Sequence, residues 1–213
     1  MSKPFPAYKR SARCPRLLYL ITRAERGGAQ THVLDLALSL QHDFEIEIAT
    51  GEEGFLTEAC RREGIAVHVL PHLRRDIKPF TDARALIEMH TLFRKIRPDL
   101  VHAHTFKAGL IGRFVARQCG IPAIYTAHMW PFGPGVPRNW RVFAPPVERL
   151  AAKWCHRLIT VSHSGVELGR KYRIGAAPQI VAIHNGVHDC PERAVLNKAG
   201  APTIAMVARF THF

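Results

Sequence analysis

Three histidines stand where strands should end. His102 and His104, in VHAHTFKAG, are two residues apart and so face the same side of a strand. Metals can use that spacing, but the next same-face position is Phe106 and no HExxH run occurs, so the pair reads as cleft lining or local hydrogen bonding. His128 follows the apolar run Ala123–Ala127 and opens a stretch, MWPFGPGVPRNW, rich in aromatic, proline and glycine residues. Loops of that composition cover many active sites. The alternative is a histidine that merely closes the strand. Upstream, Gly27 and Gly28 in RAERGGAQTH open a helix. A glycine pair lets backbone N–H groups approach an anion, and the helix terminus adds a partial positive charge; a tight strand-to-helix turn without a ligand is the alternative. A dinucleotide site is disfavoured, because the three-glycine spacing is missing and the second strand ends in Thr50 and Gly51 rather than an acid for a ribose.

The elements that must position these groups follow from the spacing of apolar residues. Short runs at Leu17–Thr22, Phe44–Thr50, Ile65–Leu70, Leu100–His104, Ala123–Ala127, Leu158–Val161 and Ile180–His184 read as strands, most of them separated by helix-length amphipathic segments. In AQTHVLDLALSLQ, Val33, Leu34, Ala37, Leu38 and Gln41 mark one stripe, widened by Leu36 and Leu40; Asp82 to Arg97 forms another helix, stopped by Pro98. Repeated strand-helix-strand units imply an α/β fold, a doubly wound parallel sheet with right-handed crossovers and helices on both faces. Ligands of such sheets gather outside the carboxyl ends of the strands. After His188 the stretch HDCPERAVLNKAGA is polar, with proline and glycine, and separates that sheet from a last apolar run, Thr203 to Ala208.

Composition narrows the partners. With 47% hydrophobic and 22% charged residues the chain has the makeup of a globular rather than a disordered protein. The net charge of +13 is uneven: residues 1–99 hold 16 basic and 13 acidic side chains, residues 100–213 hold 14 and 4. A basic field suits phosphates, in nucleic acid, anionic lipid or a nucleotide. No RNP, zinc-finger or helix-turn-helix signature accompanies the charge, so no specific nucleic acid is expected. The first sixteen residues carry five basic side chains and no acid, and residues 1–15 read as a disordered tail. Five cysteines without a CxxC pair favour buried thiols in a cytoplasmic protein over a disulfide framework.

The motifs GGAQTHVLDLA, RPDLVHAHTFKAG, YTAHMWPFG, RLITVSHSG, IHNGV and VARF, in that order, resemble the amino-terminal half of a GT-B fold glycosyltransferase of family 4. The resemblance implies two Rossmann-like domains facing each other across a cleft, the first binding mainly acceptor and the second mainly a nucleotide-sugar donor. Residues 16–187 would be the acceptor domain, 188–201 a linker, and 202–213 the first strand of a donor domain whose remainder lies beyond Phe213, so that this chain by itself would be inactive. The activity implied is transfer of a sugar from a nucleotide-sugar to a saccharide or lipid-linked acceptor, with retention of anomeric configuration and without a metal or other cofactor.

Carried onto this sequence, the resemblance places Gly27 and Gly28 at the donor's phosphates, His128 at the transferred sugar near the reaction centre, and Asn185 and Gly186 beside the hinge. Arg209 would begin a diphosphate clamp. The acceptor cleft would be lined by His104 and Trp130, together with Arg74, Arg75 and Lys78 from PHLRRDIKPF, a composition suited to an anionic acceptor or to the membrane's cytosolic face; a solvated loop is the alternative for that segment. The family's two glutamates separated by seven residues belong to the donor domain. Glu45 and Glu53 have that spacing but span a strand and the turn after it in the wrong domain, so the match is a chance one.

Overall fold

Strands and helices alternate along the chain as β1 (Arg16–Ile21), α1 (Gly28–Leu40), β2 (Glu45–Thr50), α2 (Phe55–Arg62), β3 (Ala66–Val69), α3 (Pro79–Ile96), β4 (Leu100–His104), α4 (Phe106–Gln118), β5 (Ala123–Ala127), α5 (Arg138–Ala152), β6 (Arg157–Thr160), α6 (His163–Lys171) and β7 (Ile180–Ala182) in the computed structural model, which describes residues 13–187 and Asp189. Among the described residues one parallel sheet runs in the order β3-β2-β1-β4-β5-β6-β7. All seven expected strands are present. The last is shorter than expected because β6 ends at Thr160: Ile183 makes one more bond to the Thr160 carbonyl, and no strand then remains beside His184. The terminal stretch with Arg209, most of the linker and nearly all of the basic tail lie outside the described residues.

The alternation of side chains across the sheet sorts the core into two layers. Leu17, Tyr19, Ile21, Ile46 and Ile48 point to one face and pack under Val33 and Ala37 of α1 and Leu56 and Cys60 of α2. Leu18, Leu20, Ala103, Tyr125 and Leu158 point to the other, under Met89 and Phe93 of α3, Ile111 and Val115 of α4, Ala144 of α5 and Val166 of α6. Helix α3 begins at Pro79, three residues before the expected start, because proline suits the first helical position. It ends where Arg97 turns left-handed (φ 50) ahead of Pro98. Cys60 and Cys155 are buried thiols, as expected, whereas Cys14 is exposed.

Two polar features are sealed into these layers. Arg113 of α4 and Glu148 of α5 are fully buried and joined at 2.9 Å, with Arg113 Nε donating to the Gly109 carbonyl and its guanidinium lying 4.0 Å over the Tyr125 ring. Removing one partner strands the other charge. Glu148→Ala is therefore expected to cost about 3–5 kcal/mol in chemical denaturation, while Arg113→Met with Glu148→Leu lands near or above the wild-type stability. A double variant less stable than Glu148→Ala would contradict this.

The second feature is the pair of histidines on β4. Burial pushes His102 down to about 3 from its ordinary 6.5, and His104 well below 6.5, aided by neighbouring imidazoles. The unfolded chain binds protons on these rings below about 6.5 and the folded chain does not, so stability falls as pH drops from about 6.5 toward the folded values. By pH 5 a ring such as His102 costs about 2 kcal/mol. Denaturation midpoints should fall between pH 7 and 5, and His104→Asn should flatten that dependence; an unchanged slope in the variant would remove the assignment.

Candidate active site

The sheet order makes the gap between β1 and β4 the place where successive crossovers turn to opposite faces, and ligands of open α/β sheets bind outside the strand ends there. Both strands end in that gap with a threonine. The hydroxyls of Thr22 and Thr105 lie 2.8 Å apart, the Thr22 amide donates to Thr105 Oγ1, and the Ala108 amide of α4 donates to Thr22 Oγ1. Thr105 takes φ 62 and ψ 154. That region is almost reserved for glycine and costs about 1–3 kcal/mol for other residues, so the backbone strain sits between His104 and the start of α4.

From the β1 side, the chain loops through Arg23 to Gly27 into α1. No side chain caps this helix and no acid stands in its first turn. Gly28 is exposed, and a Cβ there would meet no atom within 4 Å, so packing alone does not call for glycine at this position. A Cβ on Gly27 would come within 2.8 Å of Gln30 Oε1, and Gln30 in turn donates to the Arg23 carbonyl, which fixes the turn.

One helical turn beyond Gly28 stands His32, a residue the motif reading did not single out. Its ring meets His128 edge-on at 5.2 Å and His104 at 5.9 Å. The signal was available, since position 32 lies four residues after Gly28 and shares its helix face. His104 and His128 are stacked at 5.3 Å, with His104 Nδ1 3.1 Å from His128 Nε2. His102 lies behind them, its Nε2 2.8 Å from Thr126 Oγ1. Burial, with His32 adding to it, lowers half-buried His128 to about 4, so at neutral pH it is an uncharged imidazole. Among the described residues no group of three or more His, Cys, Asp or Glu is placed to hold a metal ion.

Two placements correct the sequence expectations. His104 is fully buried, so it stands behind His128 and does not line an open cleft; the local hydrogen-bonding alternative holds. Trp130 is 3% exposed, its Nε1 donates to the Gly165 carbonyl at 2.8 Å, and its ring stacks on Phe132, which makes it core. The next residue back, Met129, is exposed. Glu45 and Glu53 pair with Arg16 and Arg61 respectively, in agreement with their dismissal.

Arg74, Arg75 and Lys78 are exposed on the loop between β3 and α3, where Pro71, His72, Arg74, Asp76, Lys78 and Thr81 surround an open depression of about 380 Å³. Lys107, also missed in the sequence, anchors this loop to the site. Its buried ammonium donates to the Asp76 carbonyl and pairs with Asp82 at 2.6 Å from the first turn of α4. Asn185 and Gly186 follow β7 and are exposed; Arg209 lies outside the described residues.

This arrangement has relatives. A galactosyltransferase of Escherichia coli, UDP-Gal:alpha-D-GlcNAc-diphosphoundecaprenol alpha-1,3-galactosyltransferase, is 28% identical over 173 residues, covering 81% of this chain and 43% of the relative. The O-antigen biosynthesis glycosyltransferase WbnH, also of Escherichia coli, is 25% identical over 91% of this chain and 55% of its own length. The chain thus spans about half the length of these relatives. The crystal structure of Anabaena HepE in complex with UDP-glucose superposes with a TM-score of 0.62 at 19% identity, over 81% of this chain and 44% of that one, a likeness of fold. The glycosyl transferase 4-like domain matches residues 27–186, the span from the glycine turn through the last described strand, and the chain belongs to that family.

Proposed function

We propose that this chain is the acceptor half of a glycosyltransferase that moves a sugar from a nucleotide-sugar to a saccharide or lipid-linked acceptor in polysaccharide or glycolipid biosynthesis. The observation that carries the reading is the convergence, at the β1–β4 gap, of an uncapped helix terminus at Gly28 and the neutral His128 in a chain of the glycosyl transferase 4-like family. In the proposed reaction the bond from the anomeric carbon to the diphosphate oxygen breaks as the acceptor oxygen bonds to that carbon, with configuration retained, and the acceptor hydroxyl's proton passes to the departing diphosphate. Negative charge grows on the departing diphosphate. Backbone N–H groups at α1 are assigned to that charge, without a metal, together with Arg209, which lies outside the described residues; fixed donors act most strongly where water is excluded. His128 contacts the transferred sugar, and Asn185 and Gly186 flank the hinge.

The acceptor side is assigned to the loop from Arg74 to Lys78. A phosphate-bearing acceptor or lipid headgroup is the chemistry that this loop suits. The surface beside it supports docking on an anionic membrane at the cytosolic face: Phe80 is 89% exposed, Ile77 is half exposed, and Arg74, Arg75, Lys78 and Arg84, near them in the sequence, are exposed as well. On the first turns of α5, exposed Val142 and Phe143 follow exposed Arg138 and Arg141. Apolar side chains interleaved with arginine are what an interfacial surface needs. No described helix is long and apolar enough to cross a membrane.

Transfer of labelled sugar to a lipid-linked acceptor tests the reading. A polypeptide of these 213 residues should give no measurable product, because its described residues offer the diphosphate little beyond the α1 terminus. Extended by a complete nucleotide-sugar domain it should turn over, and His128→Ala should then lower kcat by about 100-fold or more with nucleotide affinity nearly unchanged. Full activity of that variant would refute the role of His128. In sedimentation with vesicles, binding should require anionic lipid and weaken in salt, since exposed charges are screened beyond about 8 Å at physiological ionic strength. Phe80→Ser should reduce binding further. Equal binding to neutral vesicles would refute the docking surface.

A further inference from the structure

We propose that His104 is a positioning residue that holds the neutral His128 ring with its proton on Nδ1, so that His128 offers a substrate oxygen a hydrogen-bond donor and not a base. The inference rests on the reading that the sugar lies at His128, but its physical content is a property of the two rings alone.

Two arrangements of protons satisfy the 3.1 Å contact between His104 Nδ1 and His128 Nε2. In the first, His104 Nδ1–H donates to a bare His128 Nε2, and the proton of His128 is on Nδ1. In the second, His128 Nε2–H donates to His104, whose own proton must then be on Nε2. The surroundings of His104 Nε2 separate them. That atom is buried and has no hydrogen-bond partner. The second arrangement would leave an N–H there without an acceptor, and unpaired buried N–H groups are rarer than unpaired acceptors. The first arrangement therefore holds.

The consequence is at the outer edge of His128. Its Nδ1 makes no hydrogen bond to the described residues and is not among the sealed polar atoms of this half-buried residue, so it is accessible to a bound molecule. With the proton fixed there, the ring donates to oxygen: a sugar hydroxyl or an oxygen on which negative charge is growing. It has no lone pair left for a proton in the cleft, because Nε2 is occupied by His104. His32, edge-on to both rings, opposes a second proton on either. Asp35, on α1, is the acidic group that acts on His32 in the opposite sense.

The test is the long-range proton-nitrogen correlation spectrum of the 213-residue chain, labelled with nitrogen-15 in its histidine rings, at neutral pH and without sugar. His128 is identified by the signals lost in His128→Gln. The expected wild-type pattern for His128 is a protonated Nδ1 and a bare Nε2. His104→Leu should move His128 toward the Nε2–H form that free neutral histidine prefers, and His104→Asn, whose amide can donate from nearly the same place, should restore the wild-type form. A proton on Nε2 of His128 in the wild type would overturn the proposal, and so would an unchanged tautomer in a folded His104→Leu protein. The wild-type spectrum decides even where the leucine variant does not fold. Because no sugar is present, these spectra stand whether or not the transfer assay supports the proposed function.

Discussion

The hydrogen-bonded hydroxyls of Thr22 and Thr105 are the constraint on which the rest of the site depends. β1 has β2 on one side and β4 on the other, and the chain leaves both strand ends toward opposite faces of the sheet. The gap that opens there must be closed without a further strand. Two threonine hydroxyls close it at 2.8 Å, and the Ala108 amide, at the start of α4, is satisfied by the same group. The arrangement requires Thr105 to hold a backbone conformation that threonine avoids. In exchange, the β4 backbone reverses sharply enough to leave His104 facing the α1 layer while Phe106 and Lys107 begin a helix on the opposite face. A strand ending in the ordinary extended way would carry residue 105 onward and displace both.

Close packing of α4 makes that turn rigid. A Cβ on Gly109 would lie 2.4 Å from the Tyr125 ring, and one on Gly112 would lie 2.4 Å from Leu20 Cδ1. The helix therefore rests its backbone on the sheet at two successive turns. Arg113, on the same helix, spreads over Tyr125 and reaches Glu148, so α4, α5 and the sheet are joined by one buried group. From this fixed base Lys107 extends to Asp76 and Asp82. The basic loop from Arg74 to Lys78 is thereby referenced to the same helix that sets His104, although the two are distant in sequence.

The fold was legible because each strand is a short apolar run and each crossover has room for a helix; the strand bounds differ by a residue or two where neighbouring strands end. The site was legible only in part. His128 and the glycine turn are recognised from position, since strand ends and helix starts are visible in one dimension. His104 was assigned to an open cleft because alternation tells which face a side chain takes but not whether another ring covers it. Trp130 was misplaced for a related reason: an aromatic in a proline-rich loop looks exposed until Gly165 and Phe132 are seen to enclose it. Thr105 and Lys107 had no local signature. Their importance comes from partners at Thr22, Asp76 and Asp82, contacts that only the folded chain creates.

Neutral rings also answer an electrostatic difficulty. For the anionic donor proposed above, a site beside a helix amino terminus in a chain of net charge +13 would gain attraction from charged imidazolium groups. Four such charges within one cluster would repel one another, and their burial would add a desolvation cost that no described carboxylate in contact with His104 or His128 offsets. Histidines kept uncharged avoid that cost while retaining directional N–H groups. The attraction at long range then comes from surface arginines and lysines, and the geometry at short range from imidazoles whose protons are fixed by their neighbours. Separating these two tasks lets the buried part of the site stay pre-formed while its rings remain uncharged.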